Sequence, residues 1–85
     1  MDEKVIPLQK IPIGAKAKVK TLLSMGSVRG RLQDIGLIEG TVVECLQKSP
    51  AGDPIAYLIR GAVIALRSEE SSKILVESCD GYVHV

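Results

Sequence analysis

Eighty-five residues with a formal net charge of +1 make one small domain, and two cysteines cannot build a disulfide framework. The longest apolar run, residues 55–66, is interrupted by Arg60 and is too short to cross a bilayer, so no membrane insertion is expected. Apolar content is 46%, but the only aromatic residues are Tyr57 and Tyr82, so the core must be aliphatic and largely β-branched, a composition that favours strands.

In chain order, residues 5–8 and 11–13 are apolar but broken by Pro7 and Pro12, which predicts an extended lead-in with Leu8 and Ile11 plugging one end of the core. Residues 15–21 alternate, placing Lys16, Lys18 and Lys20 on one face of a half-buried strand. After a loop at 24–27, with Ser27 as candidate N-cap, Val28, Leu32 and Ile35 form one apolar stripe on a helix of about two turns near 28–35. Gly36 stands where a helix end needs positive φ, with Leu37 as the apolar residue folding back onto the last turn. Gly40 turns the chain into a strand at 41–47. Helices this short do not hold themselves up in water, so this one must be docked.

Residues 49–54 read as a loop, and 55–59 and 62–66 flank Arg60-Gly61 as a tight hairpin whose nearly all-apolar strands are expected to be the most buried. Residues 68–72 form one helical turn with Ser68 as cap, 74–76 closes the sheet, and 78–85 is a tail. The organisation predicted is mainly β: a small five-stranded antiparallel barrel, with a short helix between the first two strands and one helical turn before the last. It divides into a lead-in at 1–7, a domain at 8–77 and a tail at 78–85.

Charge is uneven: residues 4–33 carry +7 with no acid, and residues 34–85 carry −4. Such asymmetry points to a charged partner surface. A nucleic-acid track along Lys16, Lys18, Lys20, Arg29 and Arg31 is the rival class, but small barrels that hold single strands add aromatic platforms, which this chain lacks there. No catalytic constellation is found. Cys45 lies in an apolar run, Cys79 has no Cys-x-x-Cys partner, and the only histidine is His84. The cluster Cys79, Asp80 and His84 is the only candidate metal set, and neither a metal nor another cofactor is expected. Leu32 and Ile35 are core residues of a docked helix. In the functional reading that helix leaves an apolar cleft beside Met25, rimmed by Arg29 and Arg31.

The runs Arg31-Leu32-x-x-Ile35-Gly36-Leu37-x-x-Gly40-Thr41, Gly52-Asp53-Pro54-Ile55, Ile64-Ala65-Leu66-Arg67 and Ile74-Leu75-Val76 resemble, in order and spacing, the FeoA family of small cytosolic proteins of bacterial ferrous iron uptake. Glu39 stands where that family often has proline before the turn glycine. The resemblance implies an SH3-like barrel and a protein partner, the cytosolic part of a FeoB-type membrane GTPase-permease. Binding is expected in the cytoplasm through Met25, Arg29, Arg31, Leu32, Ile35 and Leu37, with Gly36, Gly40 and Gly61 as structural turns. The same barrel forms the C-terminal domain of metal-dependent repressors, and a free-standing relative of that domain is the alternative. A preceding DNA-reading domain is not expected.

Overall fold

The computed structural model describes residues 5–78. The strands are β1 (Val5–Pro7), β2 (Lys16–Leu22), β3 (Val42–Lys48), β4 (Ile55–Ile59), β5 (Ala62–Leu66) and β6 (Ile74–Ser78), with helices α1 (Gly26–Asp34) and α2 (Ser68–Ser71) and a 3-10 turn at Leu8–Lys10. All strand pairs are antiparallel, in one six-stranded sheet of order β1-β6-β2-β3-β4-β5.

Two expectations change here. The lead-in contributes a sixth strand, with Val5 opposite Glu77 and Pro7 opposite Leu75; a proline is tolerated there because β1 is an edge, where a missing N–H breaks no ladder. The sheet is also not closed among the described residues: β1 and β5 are its two ends.

The core is aliphatic around one tyrosine. Leu8 and Ile11 are fully buried beside Val19, Val43, Tyr57, Ile59, Ile74 and Val76. In β2 the alternation shifts phase at an irregularity between Val19 and Thr21, which leaves Thr21 outside and returns Leu22 to the core. β4 alternates strictly, with Ile55, Tyr57 and Ile59 inward. β5 departs from the expected deep burial. Only Leu66 is buried and Val63 is 67% exposed, because an edge strand with one face on the core leaves the other face in solvent.

α1 begins earlier than its apolar stripe suggests: Met25 is the cap residue, without a side-chain cap bond, and Ser27 lies inside the first turn. Its C-terminus closes as the sequence predicts. Leu37 N–H donates to Leu32 O at 3.0 Å and Gly36 N–H donates to Gln33 O at 3.0 Å, the paired bonds of a glycine-terminated helix. Gly36 has φ +108°, and a Cβ placed on it would overlap Arg60 Cδ and lie 3.5 Å from Ile59 Cγ2. Arg60 and Gly61, at φ 50° and 86°, form the tight turn between β4 and β5.

α2 is capped from outside. Arg67, not Ser68, is its cap residue, and Asp53 Oδ1 accepts the Ser68 N–H at 2.8 Å, placing a carboxylate at the helix start.

Gly36→Ala is expected to cost about 1–3 kcal/mol, since a Cβ is strained at positive φ and the site is already filled. Urea denaturation measures this, and an unshifted midpoint would refute the close-packed helix stop.

Candidate docking site

The site is built by the short connections around α1. Leu22 ends β2 turned inward, and Leu23, the first residue beyond the strand, is 54% exposed. Met25 follows at 81%, Val28 on the first turn of α1 at 40%, and Ile38 beyond its end at 46%. Of these four exposed apolar side chains, Met25 and Val28 share one groove, while Ile38 lines a separate hollow with Leu22 and Arg29. Met25 and Val28 form one wall of a groove of about 340 Å³ between α1 and α2, with Glu69, Glu70 and Lys73 on the other side.

Of the residues singled out from sequence, Met25 lies on this surface. Arg29 and Arg31 are exposed but already engaged. Arg29 Nη1 donates to Leu22 O at 2.8 Å, tying α1 to the end of β2, and Arg31 pairs with Glu70, tying α1 to α2. Ile35 is half-buried against the core, while Leu32 and Leu37 are fully buried and have no surface to offer. Those two hold the face from beneath, because a helix of two turns buries first whatever stands on its docked side. Val28 and Lys73 join Met25 on this groove without a sequence signal of their own, and Leu23 is signalled only by the Leu22-Leu23 doublet where β2 ends. Gly40, at φ +94°, donates to Val19 O at 2.8 Å and fastens the turn after α1 to β2.

The basic strand does not form an uninterrupted cationic track. Lys16 stands opposite Glu44 and Lys18 opposite Glu77, and Lys20 Nζ lies 3.4 Å from Glu77 Oε1. Among the described residues no group of three or more His, Cys, Asp or Glu side chains could hold a metal. The Cys79, Asp80 and His84 cluster lies outside the described residues. No helix among them is long and apolar enough to cross a membrane.

Cys45 and Tyr57 face each other across β3 and β4, both fully buried. Burial pushes the Cys45 thiol up, with Lys48 acting the other way and Glu44 reinforcing it. Burial pushes the Tyr57 hydroxyl up as well, Cys45 adding to the shift and the Ser71 hydroxyl opposing it. An inward thiol held protonated is packing, not a nucleophile.

An antiparallel sheet with two short helices, an aliphatic core and an exposed apolar face beside a helix define a small SH3-like β domain. The FeoA domain model matches residues 6–78, and the chain belongs to the FeoA family, which is associated with ferrous iron transport. It is 30% identical over 70 residues to the Fe(2+) transport protein A/Fe(2+) transporter FeoB fusion protein of Porphyromonas gingivalis, covering 82% of this chain and 8% of that relative, so it spans a small part of the fusion's length. Among solved structures, the FeoA-like protein of Clostridium acetobutylicum superposes with TM-score 0.85 at 35% identity, over 100% of this chain and 98% of that one. The zinc-complexed FeoA of Stenotrophomonas maltophilia, a procaryotic SH3 domain protein, gives TM-score 0.72 at 25% identity, over 81% and 86%. A manganese-dependent transcriptional repressor shares the fold alone, at 18% identity and TM-score 0.80, over 92% of this chain and 44% of that one.

Both raised groups give the same pH dependence. Above the ordinary thiol and phenol values of about 8.5 and 10, the unfolded chain releases protons that the folded chain keeps, so stability falls as pH rises. Tyr57→Phe is expected to flatten the alkaline part of that loss and to be close to neutral at pH about 7, since the Tyr57 hydroxyl is buried with no hydrogen-bond partner among the described residues. Urea midpoints from pH about 7 to 10.5 test this, and parallel curves for both proteins would contradict it.

Proposed function

We propose that this chain is a cytoplasmic accessory protein of ferrous iron uptake that docks, through the α1 face, on the cytosolic part of a FeoB-type GTPase-permease and regulates it rather than conducting iron. The observation that carries this reading is the fusion relative, in which FeoA and FeoB share one chain. A covalent tether raises the local concentration of one module at the other to about the millimolar range, an advantage only for modules that meet.

The α1 face fits that role. Its apolar centre, Met25 with Val28 and Leu23, sets the lifetime of a complex, while the charges around it steer encounter and give salt sensitivity. Arg29 and Arg31 serve this rim while also anchoring α1, so reversing both to glutamate would disturb the seating of the helix as well as the rim. Met25→Asp is the cleaner lesion, since that side chain is 81% exposed.

Met25→Asp is expected to weaken binding to the cytosolic GTPase domain of the partner by about tenfold or more, with an unchanged melt, because a carboxylate cannot be desolvated in an apolar contact without loss. Titration of labelled domain with wild-type and variant chains measures it. Equal affinity would move the docking surface away from α1.

A further inference from the structure

The two ends of the sheet are unlike. β1 is three residues long and carries Pro7, so it offers an incoming strand little to pair with. β5, residues 62–66, has none of the devices that blunt an edge: Ala-Val-Ile-Ala-Leu contains no charge and no proline, and its register with β4 runs without a bulge. In a hairpin closed by a two-residue turn, Ile59 and Ala62 exchange both bonds and the pattern then alternates, so the N–H and C=O groups of Val63 and Ala65 point away from β4. They find no backbone partner among the described residues. On the solvent face of the edge strand itself Val63 is 67% exposed beside its cross-strand neighbour Leu58, giving apolar ground for a side chain of an added strand.

Charge selects the occupant. Arg60 and Arg67 bracket β5, both exposed and neither in an ion pair among the described residues. A second copy pairing antiparallel along the same edge would bring Arg60 of one toward Arg67 of the other, a like-charge juxtaposition at both ends. We propose that the free edge of β5 is a second docking surface, which takes an extended segment of another protein, apolar over about five residues and carrying carboxylates at both ends, as an added strand. The surface is separate from the α1 face and stands whether or not that face binds the permease.

The test uses the full chain, amide exchange by NMR, and the peptide Glu-Glu-Val-Thr-Val-Thr-Val-Glu-Glu, with a lysine-ended peptide as control. Val63 and Ala65 amides are expected to exchange fast in the free chain and to become protected when the acidic peptide is added. The lysine-ended peptide should bind about tenfold more weakly, and Arg67→Glu should narrow or reverse that preference. Val63→Pro, which removes an outward donor and leaves the β4 ladder intact, should abolish binding. If that variant melts early, Arg67→Glu carries the test with the backbone unaltered. Slow exchange of both amides in the free chain would overturn the proposal, and sedimentation would then tell a second copy on the edge from the chain's own residues outside 5–78. Peptide binding untouched by both Val63→Pro and Arg67→Glu would overturn it equally.

Discussion

The structure depends on a contact with room for a hydrogen atom and nothing larger, the approach of the Arg60 stem to Gly36. α1 is nine residues long and could not persist in isolation, so its orientation must come from its ends. At its C-terminus the chain turns through positive φ, returns two N–H groups to the last turn, and sends Leu37 into the core. The β4–β5 hairpin lies across that stop, with the Arg60 methylenes where any other residue would carry a Cβ. From this seat Arg29 reaches the Leu22 carbonyl, Arg31 reaches Glu70, and Met25 and Val28 face solvent.

Electrostatics then sharpen what the linear charge pattern leaves diffuse. The N-terminal excess of cations meets glutamates of later strands across the sheet: Glu44 opposite Lys16, and Glu77 opposite Lys18 and within 3.4 Å of Lys20. Among the described residues, Arg60 and Arg67 at the two ends of β5 enter no ion pair and keep that edge positive. Exposed pairs of this kind contribute roughly 0–1 kcal/mol each, so they govern which surfaces meet rather than whether the chain folds.

Much of the fold was legible because local signals agreed with tertiary need. The Gly36-Leu37 stop, the Arg60-Gly61 turn and the bounds of β4 and β5 all follow from residues that admit few alternatives. β1 was not legible as a strand, because two prolines read as extended coil until a partner is known, and that partner, β6, lies some 70 residues away in sequence. The depth of β5 is not legible for a related reason: an all-apolar strand looks central, and only the order of the sheet reveals an edge. The candidate site is a surface whose exposure, not its role, can be compared with the sequence. Met25 could be picked out as an adaptable apolar residue beside a short helix, whereas the burial of Leu32 and Leu37 and the engagement of both arginines depend on how α1 is rotated, which periodicity over two turns does not fix.

One cap has a reach beyond its own helix. Asp53 holds the start of α2 through the Ser68 N–H, α2 carries Glu70, and Glu70 holds Arg31 on α1. The loop at 49–54, rich in the residues that usually mark tolerant ground, is therefore a measured spacer. Ser49 N–H meets the Pro54 carbonyl at 3.2 Å and Gly52 N–H meets the Ser49 carbonyl at 2.8 Å, and together these set where Asp53 stands. Pro50 and Ala51 are exposed and can drift in identity. The number of residues between β3 and β4 cannot drift so freely, because one added residue would slide the carboxylate off Ser68 and loosen, two steps away, the helix that carries Met25.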